Sequence, residues 1–338
     1  MKVPIPIRER SGTRGQFATS CVIFVLLMLG FAGAAAAASL TLTWNAVVSV
    51  PITGYKVHYG PSVGNYPSVV DVGNTTTTTL SNLVNGAPYH FVVTAYNAAG
   101  AESGFSNDVG PPDIAVYRKV SQTTGAPVYS YFLDYNYDHT WDVKTPFGMA
   151  GDVPLAGDVN GDGFSDLVLY RNGTWFADIN KNGSVDQQYA FGGVPGDIPL
   201  LCDFNGDGSD DLVIFRNGAW YVSTSRTTSV ALTYYFGAAG DIPLCGEFNG
   251  DGTVGLAVYR NGIWYIDANH NGTIDVVAAF GGAAGDRPVL VDWSGNGKSG
   301  LGILRNGVWY ISTKRDGIAD VMFSYGATGD LPLVGIFH

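Results

Sequence analysis

The sequence predicts an all-β chain built largely as a five-bladed β-propeller, and three observations predict it. A loose Phe-Gly-x-x-Gly-Asp-x-Pro phrase starts at Phe147, Phe191, Phe236 and Phe280, with Tyr325 replacing the fifth Phe, at steps of 44, 45, 44 and 45 residues. A second phrase of the form Leu-x-Val-Tyr-Arg-Asn-Gly-x-Trp-Tyr alternates with it, and acidic Asp-x-Asn-x-Asp-Gly-x-x-Asp loops separate the two. Repeats of about 40–45 residues with strand-like content are the mark of propeller blades, because one unit cannot bury its apolar face alone.

Residues 1–38 read as a leader that lies outside the fold. Lys2, Arg8, Arg10 and Arg14 precede an apolar run from Cys21 to Phe31, and small residues from Gly33 to Ala38 offer cleavage sites before Ser39. This is the pattern of a secretory signal peptide; the alternative is a retained N-terminal anchor, since 21–38 is nearly long enough to span a bilayer. Once the leader is removed no membrane span is expected, and the protein is expected to be secreted, periplasmic or cell-surface. Removal leaves 14 basic and 28 acidic side chains, a net charge of −14. So acidic a chain is a poor partner for nucleic acid.

Residues 39–109 resemble a fibronectin type III domain through Leu40-Thr-Leu-Thr-Trp44, Gly54-Tyr-Lys-Val-His-Tyr59, the run from Tyr89 to Asn97, and Gly100-Ala-Glu-Ser-Gly-Phe-Ser106. The resemblance implies a β-sandwich with Trp44 in its core and Tyr89 as a corner tyrosine. Its usual first strand falls within the leader, so that strand is expected to be short or missing. Residues 110–112 form a Pro-rich linker, and 113–338 the propeller.

Each repeat divides into four short strands; in the second they run about 153–158, 166–171, 174–178 and 186–191. Arg-Asn-Gly between strands two and three is a two-residue hairpin signal in which both turn residues need positive φ. The first copy of the second phrase, at Asp113, has no Gly-Asp-x-Pro strand before it, and the last such strand has no phrase after it. A ring in which 331–338 completes the blade begun by 113–147 accounts for both gaps and removes exposed edges; an open solenoid would leave two half-units. The two cysteines beyond the leader, Cys202 and Cys245, fall on the same strand of adjacent blades, one position out of register. They are open to two readings, a disulfide or two buried thiols.

The acidic loops carry the candidate chemistry. Asp158, Asn160, Asp162 and Asp166 place oxygen side chains at positions 1, 3, 5 and 9, with Gly at 6 and the Phe164 carbonyl at 7. Alternate short oxygen ligands around a sharp bend suit calcium. Asp203, Asn205, Asp207 and Asp211 repeat the pattern. A second set lies between strands three and four: Asp178, Asn180, Asn182 and Asp186; Asp267, Asn269, Asn271 and Asp275; and Asp134, Asn136, Asp138 and Asp142, where His139 takes the Gly position. The loops at 223–231, 247–255, 292–300 and 312–320 have lost acids and are expected to be empty or turn-only. Asn-Gly and Asp-Gly alone would make turns, but a turn does not need four oxygen side chains at fixed spacing.

This combination resembles the FG-GAP or VCBS repeat over 113–338. The resemblance implies calcium held in strand-connecting loops and a role in adhesion or glycan binding. The units are shorter than those of integrin propellers and number five, so integrin-like ligand recognition is not carried over.

An enzyme reading is tested by counting acids, since glycoside hydrolysis needs two flanking carboxyl groups. Of 24 Asp in 113–338, five belong to Gly-Asp-x-Pro and 18 to loop positions, which leaves Asp210 alone, and the single Glu is Glu247. No catalytic arrangement emerges, and no enzyme is expected. Arg118, Arg171, Arg216, Arg260 and Arg305 match the five Gly-Asp aspartates in number and are expected to pair with them or stack on rings. Trp175, Trp220, Trp264 and Trp309, with Tyr131, are either packing between blades or sugar platforms, and their exposure decides which. The reading is therefore a secreted, monomeric, non-catalytic calcium-binding propeller whose partner is an extracellular glycan or surface protein; the alternatives are a glycoside hydrolase or lyase, or a structural spacer. A ligand is expected on the face opposite the acidic loops, where Lys119 to Ser130 holds an insertion of nine residues that either serves binding or packs beside the linker at Pro111–Pro112 and seats the fibronectin domain.

Overall fold

The computed structural model describes residues 23–26, 38–47, 51–61, 64–83, 89–106, 109–110, 112–120, 127–135 and 139–337. Every regular element among them is a β-strand, and among these described residues no helix is long and apolar enough to cross a membrane. The chain divides at Pro111–Pro112 into two compact units.

The first unit holds two three-stranded antiparallel sheets. One orders Ile23–Leu26, Ala38–Trp44 and Thr77–Leu83; the other orders Ser68–Gly73, Gly54–Gly60 and His90–Tyr96. Alternation dictates their packing: Leu40, Leu42 and Trp44 point inward from one sheet, Tyr55, Val57, Phe91 and Val93 from the other. Trp44 is buried with its ring edge-on to Tyr55 at 5.6 Å, as the sandwich reading requires. The first strand, expected to be short or missing, is short: the four residues Ile23–Leu26, within the expected leader, pair with Thr41–Trp44. The rest of that leader, apart from Ala38, lies outside the described residues.

The second unit contains five four-stranded antiparallel sheets. Sheet two is Val153–Gly157, Asp166–Arg171, Thr174–Asp178 and Gln187–Ala190, within a residue of the predicted strands. Sheets three, four and five repeat it, with first strands Ile198–Cys202, Ile242–Glu247 and Arg287–Val291. Sheet one is assembled from both ends of the repeat region: Leu331–Gly335 pairs with Asp113–Val120, followed by Val128–Asp134 and Val143–Pro146. The Asn-Gly turns take the expected left-handed conformations, with Asn172 at φ 48° and Gly173 at 89°, and likewise at 217–218, 261–262 and 306–307. In sheet one the insertion lengthens this hairpin, adding the pairs Lys119↔Tyr129 and Val120↔Val128; residues 121–126 lie outside the described set.

Five apolar clusters fill the second unit, and each is shared by two sheets. Leu167 and Leu169 of sheet two pack with Tyr131 and Leu133 of sheet one. Leu212 and Ile214 of sheet three pack on sheet two, Leu256 and Val258 of sheet four on sheet three, and Leu301 and Ile303 of sheet five on sheet four. In the fifth cluster Ile114 and Val116 of sheet one pack with Trp309 and Ile311 of sheet five. The first strand of each sheet contacts the first strands of two others. Trp175, Trp220, Trp264 and Trp309 are fully buried, and each indole N–H donates to the carbonyl of Phe191, Phe236, Phe280 or Tyr325 at 2.9 Å. Burial removes the sugar-platform reading for them and for Tyr131, which is also fully buried and donates to the Val168 carbonyl at 2.7 Å. Cys202 and Cys245 are joined in a disulfide between the first strands of sheets three and four.

Candidate metal centres

Antiparallel connectivity puts the one-to-two and three-to-four loops of every sheet at one end and the Asn-Gly turns at the other. The acidic loops therefore share one end. In 158–166, Asp158 accepts from the Gly161 and Gly163 amides at 2.6 and 2.7 Å, and Asp162 accepts from the Phe164 amide at 2.9 Å. Asp166 accepts from the Val159 amide at 3.0 Å, while the Asn160 carboxamide donates to Asp162 and Asp166 at 3.2 and 3.4 Å. Positions 1, 3, 5 and 9 are thus drawn together. The loop 203–211 repeats these bonds: Gly206 and Gly208 amides to Asp203, Ser209 amide to Asp207, Phe204 amide to Asp211, and Asn205 carboxamide to Asp207.

The second set closes on the same template. Asp178 accepts from the Gly183 amide and Asp267 from the Gly272 amide, both at 2.7 Å. Asn182 accepts from Ser184 and Asn271 from Thr273, both at 2.8 Å, and the Asn180 carboxamide donates to Asp186 at 2.9 Å. Asp275 accepts from the Ala268 amide at 2.8 Å, and Asn269 spans the same turn, its carboxamide oxygen accepting from the Asn271 amide. In the loop from Asp134, His139 holds φ 68° where the other loops use Gly, and donates its amide to Asp134 at 3.1 Å. Asp142 accepts from the Tyr135 amide; Asn136 and Asp138 lie outside the described residues.

The electrostatics bear on whether a cation fits. Asp166 and Asp211 end up fully buried at strand starts. Burial pushes the Asp166 carboxyl up to about 7, with the Asp158 and Asp162 carboxylates adding to the rise against the Val159 amide and Lys181. Asp211 is pushed up to about 6, again by burial and by Asp203 and Asp207, and its Oδ1 is buried without a hydrogen-bond partner. Burial also raises Asp178. Among the described residues no three acidic, His or Cys side chains form a ready-made cage; the donor sets are instead carboxylate mixed with carboxamide and main-chain oxygen. Hard oxygen donors, crowded anions and an orphaned carboxylate oxygen fit calcium.

Of the decayed loops, 247–255 and 292–300 keep amide bonds of the same template, Gly250 to Glu247, Thr253 to Asp251 and Gly297 to Asp292, while the other two close by other means. Ser223 and Thr227 bond to each other in 223–231, and Lys314 donates its ammonium to Asp320 at 2.9 Å in 312–320. Glu247 accepts from the Asn249 and Gly250 amides. Asp210, the off-pattern acid, accepts from the Asp158 amide at 2.8 Å.

At the opposite end stand five ion pairs. Arg118, Arg171, Arg216, Arg260 and Arg305 grip Asp330, Asp152, Asp197, Asp241 and Asp286, each through Nε and Nη2. Each guanidinium also lies about 5 Å over a ring, of Phe132, Phe176, Tyr221, Tyr265 or Tyr310. Both expected roles therefore fall to the same side chain. Between sheets four and five this end opens into a cavity of about 630 Å³ lined by Ala239, Ile242, Arg260, Asn261, Ala284 and Asp286, among others. The bordering loops there are both Gly-Ala-Ala-Gly-Asp, at 237–241 and 282–286, and Arg260 is the most exposed of the five arginines at 44%.

Residues 31–110 match the fibronectin type III domain model. A stretch of 65 residues is 40% identical to the Kelch domain-containing protein SSO1033 of Saccharolobus solfataricus, covering 19% of this chain and 9% of that relative's length. Among solved structures, Kluyveromyces lactis Hsv2 is similar at 13% identity and TM-score 0.28, over 72% of this chain and 81% of that one. The V. cholerae biofilm matrix protein Bap1 is similar at 15% identity and TM-score 0.29, over 81% of this chain and 39% of that one. Likenesses at such low TM-scores assign neither a ligand nor a function.

Proposed function

We propose that this chain is an extracellular, non-catalytic binding module: a fibronectin type III domain followed by a five-bladed FG-GAP/VCBS-like propeller held rigid by calcium, with a glycan or surface protein as its ligand. Closure of the ring is supported by the pairing of Leu331–Gly335 with Asp113–Val120 and by the apolar cluster that sheet five shares with sheet one. The observation that carries the calcium reading is the shared geometry of 158–166 and 203–211, where buried carboxylates crowd one another, Lys181 and Arg226 offset that crowding only in part, and Asp211 Oδ1 is left without a hydrogen-bond partner. Asp158, Asn160, Asp162 and Asp166 would hold one ion with the Phe164 carbonyl, and Asp203, Asn205, Asp207 and Asp211 another. Calcium supplies a fixed divalent charge that neutralises the loop and orders it. The non-catalytic reading is supported by Asp210, whose carboxylate is committed to the Asp158 amide.

The cavity bordered by Arg260 and Asn261 is the ligand site that this reading favours, because it lies at the end opposite the acidic loops and offers both polar and apolar lining. A glycan array probed with the full chain, and with Ala284→Trp, tests it. Ala284 is exposed, so the bulk should cut binding at least tenfold and leave the melting midpoint unchanged. Undiminished binding would place the ligand elsewhere. A second reading, a spacer that calcium only stiffens, is favoured by the burial of all four indoles, and an array without hits would support it.

A further inference from the structure

We infer that calcium binding at 158–166 and 203–211 is positively coupled, and that Asp210 is the residue that couples them; this rests on the calcium reading of the two loops. Asp210 occupies position 8 of the loop 203–211, beside the position-9 ligand Asp211. It clamps position 1 of the neighbouring sheet's loop with two reciprocal bonds: the Asp158 amide donates to Asp210 Oδ2 at 2.8 Å, and the Asp210 amide donates to the Asp158 carbonyl at 2.5 Å. The first candidate ligand of one loop is therefore fixed to the residue adjoining the last ligand of the next.

The clamp is built into the repeat. The Ser299 amide donates to the Glu247 carbonyl at 2.6 Å, and the Ser165 amide to the Ile336 carbonyl at 2.5 Å, each from position 8 of its loop. In all three cases a glycine, Gly157, Gly246 or Gly335, immediately precedes the residue whose carbonyl accepts, and a Cβ there would collide with the side chain of Asp210, Ser299 or Ser165. Glycine before the accepting residue and a small polar residue at position 8 thus occur together as lock and seat. Ser299 joins two decayed loops, and Ser165 reaches Ile336, the residue after the strand Leu331–Gly335. Only the Asp210 clamp joins two loops with the full oxygen pattern, and there serine is replaced by a carboxylate.

The physical consequence comes from ordering. An ion at 203–211 immobilises Asp211 and with it the backbone of Asp210, which presents Asp158 already placed for the second ion. The entropic cost of ordering is then shared between the two events. With both loops loaded, the Asp210 carboxylate, which bonds to the Asp158 amide and adjoins Asp211, would add a negative charge near both ions and offset their repulsion.

Calorimetric titration of the full chain with calcium chloride, compared with Asp210→Ala and Asp210→Ser, tests the coupling. The wild-type chain is expected to bind its second ion about fivefold or more tighter than independent sites would. Asp210→Ala should make the sites independent. Asp210→Ser should retain coupling, because the Ser165 hydroxyl makes the corresponding side-chain bond, accepting from the Ile336 amide at 3.1 Å. Should Asp210→Ala fail to fold, Asp203→Ala reads the same quantity, since emptying one loop must weaken the other about fivefold. Independent sites in the wild type, or unchanged coupling in Asp210→Ala, would overturn the coupling and leave the calcium reading standing. A wild-type chain that binds no calcium would overturn both.

Discussion

Arg305→Ala is expected to cost about 3–5 kcal/mol of stability at neutral pH. The reason lies in its partner. Asp286 is 2% exposed in its side chain, and Arg305 meets it through Nε at 2.5 Å and Nη2 at 2.9 Å. Removing the guanidinium leaves a buried carboxylate with the backbone amides of Ala283, at 3.0 Å, and Gly282 as its donors. The pH dependence identifies the mechanism. Burial alone would raise the Asp286 carboxyl, but the Arg305 hydrogen bond, with the Ala283 amide and the Arg305 charge, holds it below its ordinary value. A carboxyl depressed in the folded state adds stability above its unfolded pKa of about 3.9, and that contribution disappears as pH falls through the lower folded value. In Arg305→Ala burial is unopposed by the guanidinium, so the carboxyl should rise and the native state should take up a proton first. The variant should therefore gain on the wild type as pH falls from 7 to 5. Chemical unfolding at several pH values gives both results, and a gap that does not narrow would mean that lost packing over Tyr310, not the stranded charge, sets the cost.

Breaking the Cys202–Cys245 bond is expected to cost about 3–4 kcal/mol, because it closes a loop with a sequence separation of 43 residues in the unfolded chain. For a unit of this size that corresponds to roughly 6–16 °C in melting midpoint. Cys202→Ala/Cys245→Ala should show it in thermal melts under non-reducing conditions, and the wild type with reductant present during unfolding should approach the variant. Coincident melts of variant and oxidised wild type would remove the bond from the stability of the unit. A bond of this kind fits an oxidising compartment.

Much of the repeat was legible because its signals are local. Strand limits follow from period-two alternation and from Asn-Gly turns whose geometry only those residues favour, so the second repeat was placed to within a residue. Pairing of the last strand with the first followed from counting half-units. Contacts between sheets were less legible, since they join residues tens to hundreds of positions apart. The tryptophans could be read as core or as platforms until their burial was seen. Asp210 stood out as off-pattern, but its tie to Asp158 depends on the neighbouring sheet; the available signal was glycine at 157, 246 and 335 recurring with Asp210, Ser299 and Ser165. The position-4 residues Lys181, Arg226, His270 and Arg315, all left-handed, were missed for the same reason. Arg226 donates to the Asp210 carbonyl at 3.1 Å and Arg315 to the Phe248 carbonyl at 2.9 Å, both contacts set by packing. The strand Ile23–Leu26 was expected only as short or missing because its apolar run also fits a leader.

Calcium is the centre of the account, and thermal melts of the full chain in chelator and in low-millimolar calcium test it most directly. An ion bound only by the folded loops stabilises by mass action, about 1.4 kcal/mol per site at tenfold its dissociation constant. The midpoint should therefore rise with calcium, Asp158→Ala and Asp203→Ala should each blunt the rise, and Glu247→Ala should leave it intact. Identical midpoints with calcium and with chelator would contradict the account.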